Sequence, residues 1–223
     1  MSEMADNLSK HPSSKFAHGK YYRNSEECLF LCSVYSSGRK FVRLKNLFLS
    51  VSSESDEIRE KIKEALLQVY LFAGFPTALH SLKLFHSING AVSEEFEKYD
   101  DEKFTSRGLE NCGLVYGKNV GKLLANISSY SEQLAYWVLR EGYGKVYGRE
   151  KLSFREREIV AVGALAALGL EEQLISHLKG LKRSGMTHSG IKNLIELFCI
   201  VSDKKHGKRI MKIFERFTEL TGS

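Results

Sequence analysis

The stretch SFREREIVAVGALAALGLEEQLISHLKGLKRSG, residues Ser153–Gly185, decides the fold. It opens with Ser153 followed three residues later by Glu156, which is the spacing of a helix-capping box. An almost unbroken apolar run follows and ends at Gly169. A second helix is predicted from about Glu171 to Gly185, because glycine is the residue that most often ends a helix. The stretch therefore predicts two consecutive helices.

The rest of the chain follows the same pattern. SESDEIREKIKEALLQVYLFAG carries apolar residues at helical spacing and stops at Gly74, and the next helix restarts at Pro76. Ser131 is a predicted N-cap, and Gly142 and Gly144 are predicted to break the helix that it starts. Only two prolines occur in the chain, which favours long helices. No strand is predicted, so the expected fold class is all-α.

Composition and charge narrow the function classes. The chain has 223 residues, of which 43% are hydrophobic and 27% charged, as in soluble globular proteins. The net charge of +6 is spread among acidic residues, so no nucleic-acid partner is expected. The densest basic cluster, DKKHGKRIMK, is interpreted as a solvated helix start, with anion or nucleic-acid contact as the alternative. No apolar run spans a bilayer and no signal core opens the chain, so we expect a cytoplasmic protein without a membrane partner.

Cysteine usage does not indicate a disulfide framework. The four cysteines are Cys28, Cys32, Cys112 and Cys199. A reducing compartment keeps such cysteines as thiols. Cys28 and Cys32 are interpreted as packing residues, whereas Cys112 is either a core residue or a reactive thiol. No set of metal-ligating residues stands at a useful spacing, so neither a metal nor a cofactor is expected.

An internal repeat sets the predicted domain organisation. LLQVYLFAG (Leu66–Gly74) matches LIELFCIVS (Leu194–Ser202) at an offset of 128 residues. A helix pair with one apolar face needs a second copy to cover it, which gives a physical reason for duplication. The prediction is a disordered segment over 1–20, a first repeat over 21–92, a connector with a helix over 93–130, and a second repeat over 131–223.

These segments resemble the carboxymuconolactone decarboxylase-like proteins of the alkylhydroperoxidase D-like fold. The resemblance rests on EALLQVYLFAGFPTAL, on RGLENCGLVYG, and on the run from EGYGKVYG through the opening stretch. It covers about residues 28–214 and resembles a tandem member of the family. It implies an all-α fold made of two tandem copies of an alkylhydroperoxidase D-like helical bundle. It also implies a homo-oligomer, since family members assemble by helix packing.

Two chemistries are implied by the resemblance. Alkylhydroperoxidase-like members use Cys-x-x-Cys-x-x-x-His, but with His177 as that histidine the cysteine positions hold Leu170 and Gln173. Thiol peroxidase chemistry is therefore disfavoured. The other chemistry is cofactor-free decarboxylation of a lactone acid, in which a histidine and a glutamate handle the proton while the site stabilises an anion.

The candidate catalytic residues follow from the family pattern GxExxLxxHxxxAL. Gly169, Glu171, Leu174 and His177 match it, which makes His177 and Glu171 the predicted catalytic pair. The family pattern has glutamate where this chain has Gln173. Gln173 lies four residues before His177 on the same helix face, where it could hold the imidazole or contact substrate.

The first half keeps the part of the pattern that the second half lacks, which predicts one composite site between them. Its expected substrate-binding residues are Gln68, Tyr70 and His80, joined by Tyr116 of the RGLENCGLVYG segment. Glu141 and Tyr143 lie in EGYG and serve either turn packing or function.

The predicted function is a cofactor-independent lyase, a decarboxylase of a small carboxylate or lactone. The alternative is a non-catalytic helical scaffold of the same fold, in which His177 is a partly exposed helix residue.

Overall fold

The computed structural model describes residues 22–222, so the predicted disordered segment 1–20 lies outside the described residues. Over the described range every regular element is helical, which confirms the all-α prediction. The elements are α1 (Ser25–Ser37), α2 (Phe41–Val51), α3 (Asp56–Asn89), α4 (Asp101–Tyr116), a 3₁₀ turn (Gly117–Asn119), α5 (Val120–Ser128), α6 (Glu132–Trp137), a π-helix (Val138–Val146), α7 (Phe154–Leu168), α8 (Glu171–Arg183), α9 (His188–Val201) and α10 (Lys204–Thr221).

The capping signals act as the sequence predicts. The Ser153 side chain accepts a hydrogen bond from the Glu156 N–H, and the Glu156 side chain accepts one from the Ser153 N–H. This capping box starts α7, and Gly169 ends it in a left-handed conformation with φ 69°. Ser131 caps α6 by accepting from the N–H of Leu134 at 3.1 Å. The capping box and Gly169 fix where α7 begins and ends, and α7 and α8 together carry the site described below.

Helix α3 is broken in its middle, as predicted. Gly74 has φ 77° and ψ 164°, a conformation that no helix contains and that residues other than glycine rarely adopt. Pro76 follows within the first turn of the continuing segment, where its missing N–H costs no hydrogen bond. The break redirects the chain, and Phe75 and Leu79 lie exposed just after it.

The main core is shared by helices from both ends of the chain. α1 packs against α3 and α7, and α7 packs against α8. Buried residues of this core include Phe30 and Phe48 from the first half and Val160, Leu178 and Phe198 from the second. A smaller apolar cluster around Cys112, Leu139 and Ala161 lies between α4 and the π-helix. The candidate site lies where the smaller cluster meets α7 and α8.

Within residues 93–130, α4 begins at Asp101, where the Asp100 side chain accepts a hydrogen bond from the N–H of Lys103. One local prediction needs correction. Gly142 and Gly144 were expected to break a helix, but the helix widens there into the π-helix Val138–Val146. A Cβ on Gly144 would stand 1.9 Å from the carbonyl oxygen of Phe104, so this glycine allows α4 to pack on the π-helix backbone.

The predicted duplication stays a prediction. The backbone is non-helical at Gly74, within α3, and at Ser202, between α9 and α10. These two residues are 128 positions apart, the offset of the sequence repeat. The helix order α1, α2 and broken α3 therefore has the same sequence of elements as α7, α8 and the α9–α10 pair.

One helix of the described residues is long and apolar enough to cross a membrane. An 18-residue window of α3 has a mean hydropathy of 1.3. This revises the expectation that no segment is long enough, because that expectation considered only uninterrupted apolar runs. The criterion tests only length and composition, and core helices of soluble proteins also meet it. Here α3 also packs against α1, α2 and α7.

Candidate active site

A buried imidazole–carboxylate pair forms the centre of the candidate site. His177 extends from α8, and Glu158 extends from the facing helix α7. The Nδ1 atom of His177 lies 3.1 Å from both Oε1 and Oε2 of Glu158. The two residues are 5% and 0% exposed. Since a carboxylate only accepts hydrogen bonds, Nδ1 donates to it, and Nε2 is left for other partners.

A glycine makes room for this pair. Gly180 lies on α8 one turn after His177, and a Cβ built on it would stand 1.9 Å from Oε2 of Glu158. The carboxylate therefore lies directly against the backbone of α8. Any side chain larger than hydrogen at Gly180 would force the Glu158 carboxylate to move away from its present position.

Three tyrosines surround the pair. The Tyr147 hydroxyl lies 3.5 Å from Nδ1 of His177, and Tyr143 donates to the Tyr116 hydroxyl at 3.1 Å. Burial, followed by the charge of Glu158, raises the pKa of Tyr147 well above its ordinary value. Burial also raises the pKa of Tyr143, and it raises the pKa of Tyr116 to about 12. At neutral pH these hydroxyls are uncharged and can donate hydrogen bonds.

His177 opens onto a pocket of about 250 Å³. Its apolar wall comes from both halves of the chain, with Leu71 and Phe72 on one side and Leu134, Trp137 and Val138 on the other. The ring of Phe72 meets the imidazole edge to face at 6.1 Å between centroids. The pocket is smaller than most drug-sized sites and suits a compact ligand.

Four polar side chains line the pocket among the described residues, and they are His177, Tyr143, Tyr147 and Glu141. Glu141 accepts a hydrogen bond from Lys145 at 2.9 Å and one from Tyr70 at 3.2 Å. The arrangement offers an imidazole for proton transfer and hydroxyl groups for hydrogen bonding within a largely apolar space.

A buried ionic network fixes α7 against α3. Arg157, only 1% exposed, donates through Nη2 to Oε1 of Glu64 at 2.8 Å, and Arg149 donates to the same oxygen at 2.8 Å. Gln68 donates to the carbonyl of Arg157 at 2.8 Å and accepts from its guanidinium at 3.3 Å. Because Arg157 precedes Glu158 directly, this network holds the α7 turn from which Glu158 extends.

The structure places the predicted site residues in different surroundings. Glu171 lies at the start of α8 and pairs with Arg216 at 2.7 Å, and Gln173 is exposed. His80 is also exposed, with its ring 4.0 Å from that of Phe41. None of these three predicted residues lines the His177 pocket.

Three further predicted residues lie nearer the pocket. Gln68 belongs to the buried network with Arg157, and Tyr70 contacts the pocket residue Glu141. Tyr116 has its ring centroid 6.5 Å from that of His177. Of the predicted set, Tyr116 is thus brought beside His177. The predicted roles of all of them stay predictions.

Sequence reasoning missed Glu158. It lies in FREREIVAVG, directly before the apolar run, and follows other charged residues, so the sequence does not single it out as a site residue. The available signal was a carboxylate inside an otherwise buried helix, because such a group needs a charged or hydrogen-bonding partner.

The four cysteines lie in different surroundings. Cys28, Cys32 and Cys112 are buried, and Cys199 is partly exposed. Burial raises the pKa of Cys112 to about 12, which leaves it protonated at neutral pH. Among residues 22–222 no cluster of three or more histidine, cysteine or acidic side chains is placed to bind a metal ion.

Comparison with known proteins decides the family. The model of the carboxymuconolactone decarboxylase family matches residues 132–197. The 4-carboxymuconolactone decarboxylase of Acinetobacter baylyi is 33% identical over 101 residues, which cover 45% of this chain and 75% of that enzyme. The chain belongs to the carboxymuconolactone decarboxylase family.

A second relative matches a longer part of the chain than the family model does. Peroxisomal protein 2 of Schizosaccharomyces pombe is 31% identical over 134 residues, which cover 58% of this chain and 63% of that protein. The family segment 132–197 holds both Glu158 and His177, together with Gly180. The predicted family is confirmed, and the site described above lies within the part of the chain that carries it.

Proposed function

We propose that this chain is a cofactor-independent carboxy-lyase that acts on a small carboxylate or lactone acid. The observation that carries the proposal is the buried pair of His177 and Glu158 opening onto the 250 Å³ pocket. A buried histidine held by a carboxylate is suited to proton transfer, because the carboxylate fixes the orientation of the ring and leaves Nε2 for the substrate. The decarboxylase named among the relatives supports the same reaction class.

The proposed reaction has two steps. The bond between the substrate and its carboxylate carbon breaks, carbon dioxide leaves, and the electron pair passes into a dienolate. A proton from Nε2 of the imidazolium of His177 then adds to carbon, and the ring regains a proton from solvent. The Tyr116 hydroxyl accepts from Tyr143 and keeps its own hydrogen to donate, so we assign Tyr116 to the stabilisation of developing negative charge near the imidazole. Tyr147 hydrogen-bonds the Glu158 carboxylate. Glu158 acts through His177 and holds its Nδ1.

The site residues predicted from the sequence fall into two groups, those with a role in the proposed reaction and those without one. We propose that Tyr116 assists through its hydroxyl, and that Tyr70 and Gln68 support the pocket from behind. Glu171, Gln173 and His80 lie outside the pocket wall and have no step in this scheme.

A non-catalytic scaffold is the second candidate function. It is favoured by large exposed apolar side chains, since Trp137 of the pocket wall is 52% exposed and Phe75 is 65% exposed. Apolar surface of this kind is typical of a face that binds another protein. We also propose a homo-oligomer in the cytoplasm. The fission yeast relative carries a peroxisomal name, so a fluorescent fusion would distinguish the two locations.

The test of the lyase proposal is carbon dioxide release from a panel of unsaturated lactone carboxylic acids. For a substrate that reacts, His177→Asn should lower turnover roughly a hundredfold or more. The matched control is His80→Asn, because His80 is exposed and lies outside the pocket. Equal activity of His177→Asn and the wild-type chain would overturn the proposal, and so would the absence of carbon dioxide release from the whole panel.

A further inference from the structure

We propose that a basic face of the fold binds the anionic surface of a lipid membrane. The basic face comprises the four basic residues of segment 39–45, at the start of α2, and the five basic residues of segment 204–212, at the start of α10. All nine side chains are exposed. None of them lines the His177 pocket, so this inference stands apart from the proposed function.

The positive charge of the chain is concentrated on this face. Residues 39–50 contain no acidic residue, and residues 203–214 contain one, Asp203. With nine basic residues, the two stretches carry a net charge of +8, whereas the whole chain carries +6. The remainder of the chain is therefore slightly acidic.

The basic side chains of the face have no acidic partner within the described range. No ion pair of residues 22–222 includes any of the nine, whereas Arg149 elsewhere in the fold pairs with Glu64 at 2.8 Å. Arg209 donates to the backbone carbonyl of Gly169 at 3.0 Å, which fixes its guanidinium but leaves its charge uncompensated. Unpaired charges of one sign repel one another, and an anionic partner relieves this repulsion.

Two contacts bring the start of α2 and the start of α10 together. The guanidinium of Arg43 donates to the carbonyl of Val201, which lies three residues before α10. Lys40 and His206 line the same cavity of about 170 Å³, one from the start of each helix. The two basic segments therefore form one continuous face. The N-terminal ends of both helices lie there and add to its positive potential.

Exposed aliphatic side chains lie among the basic ones and favour a membrane over a nucleic acid. Val42 is 76% exposed, and Ile200 in the last turn of α9 is 43% exposed. Leu49, also exposed, lies two turns after Val42 on the same side of α2. Phe41, the aromatic residue of segment 39–45, contacts the ring of His80 instead of being free to stack on a base. Aliphatic side chains between basic ones are typical of surfaces that bind at the headgroups of anionic lipids.

The proposal concerns the surface of a membrane and not its interior. The expectation that the chain has no membrane partner concerned segments that cross a bilayer. Binding at the headgroups needs no such segment, because lysine and arginine attract anionic lipids and exposed aliphatic groups insert to a shallow depth. Residues 203–212, interpreted from the sequence as a solvated helix start, thereby gain the anion contact that was the alternative.

Co-sedimentation of the full chain with lipid vesicles tests the proposal. The probes are vesicles of phosphatidylcholine alone, vesicles with about one third phosphatidylserine, and a single-stranded RNA oligonucleotide. We expect the phosphatidylserine vesicles to bind roughly tenfold or more tightly than phosphatidylcholine alone, and added salt to weaken this binding by screening. Equal binding to both kinds of vesicle, or binding to neither, would overturn the proposal.

A pair of matched variants locates the binding on the basic face. K204Q/K205Q should weaken binding to the phosphatidylserine vesicles roughly twentyfold, because each basic residue near an anionic surface contributes about fivefold. The control K118Q/K122Q removes the same charge at exposed lysines outside the face and should bind nearly as the wild-type chain does. An equal loss in both variants would show that net charge, and not this face, determines the binding.

Val42→Ser separates a membrane from a nucleic acid as the partner. It removes an exposed aliphatic group without changing the charge, so it should weaken vesicle binding severalfold and leave any RNA binding unchanged. RNA binding tighter than vesicle binding, with Val42→Ser equal to the wild-type chain on both probes, would overturn the membrane proposal in favour of a nucleic-acid partner.

Discussion

The carboxylate of Glu158 fills the space that a side chain on Gly180 would need. A Cβ on Gly180 would stand 1.9 Å from Oε2 of Glu158 and 2.8 Å from its carboxyl carbon. The glycine thereby lets a carboxylate rest on the α8 backbone, with both of its oxygens 3.1 Å from Nδ1 of His177. The position of the Glu158–His177 pair therefore depends on the absence of a side chain at Gly180.

Gly180→Ala should therefore destabilise the protein and displace Glu158 from His177. Overpacking of a buried site costs about 1–3 kcal/mol, which exceeds the alanine advantage in a helix of about 1 kcal/mol. The matched control is Gly113→Ala in α4, where a Cβ would meet nothing within 4 Å. That control should be neutral or stabilising. Chemical unfolding of both variants measures the difference, and an equal gain for both would show that Glu158 is not held against Gly180.

The buried network predicts a large effect at Glu64. Glu64 is 3% exposed and accepts from both Arg157 and Arg149 at 2.8 Å. Glu64→Gln removes the charge that compensates the buried Arg157, so the loss in unfolding free energy should be about 3–5 kcal/mol. Glu171→Gln breaks only the exposed pair with Arg216 and should cost less than about 1 kcal/mol. A Glu64→Gln variant as stable as Glu171→Gln would contradict the account of the network.

The acid limb of stability should depend on Glu156. Burial by itself raises the pKa of this carboxyl, but hydrogen bonds from Lys61 and Ser153 outweigh burial and hold the pKa below its usual 4.5. A carboxyl with a lowered pKa stabilises the fold above its usual pKa, and this contribution is lost as the pH falls through the folded-state value. Glutamine can keep the capping box with Ser153 but cannot titrate.

Glu156→Gln should thus be less stable than the wild-type chain at pH 7, and the gap should close in acid. Urea unfolding at a series of pH values measures this gap. Lys61→Met serves as the control, since it removes the ion pair with Glu156 and leaves the carboxyl. A gap between Glu156→Gln and wild type that stays constant down to the acid transition would show that the Glu156 carboxyl has an ordinary pKa.

Thiol labelling separates Cys112 from Cys199. Burial raises the pKa of Cys112 to about 12, so almost no thiolate forms at pH 8. Cys199 is partly exposed and should react first with iodoacetamide in the native chain. Cys112→Ser should leave the labelling rate unchanged, and Cys199→Ser should remove the fastest phase. Rapid native labelling of Cys112, mapped by peptide mass spectrometry, would show that this thiol is reactive.

Local signals in the sequence were sufficient for the helices, but not for the partner of His177. The capping box at Ser153 and the break at Gly74 depend on neighbouring residues, so both could be predicted. The contact between Glu158 and His177 joins two helices and could not be read from spacing. Glu171 is closer to His177 in sequence, but six helical residues turn it about 120° away.

The widened helix at Val138–Val146 was also beyond local reasoning. Glycine at Gly142 and Gly144 predicts a break when only helix propensity is considered. In the fold, α4 approaches the π-helix so closely that a side chain at Gly144 would collide with Phe104. A tertiary contact thus explains a glycine that the sequence alone assigns to a turn.

The most direct test of the central claim is a crystal structure of the full chain with an unsaturated lactone carboxylic acid. We expect the ligand in the pocket with one atom within hydrogen-bond distance of Nε2 of His177. We also expect Nδ1 to stay about 3.1 Å from both oxygens of Glu158. An unoccupied pocket with the ligand bound elsewhere, or an imidazole turned away from Glu158, would contradict this claim.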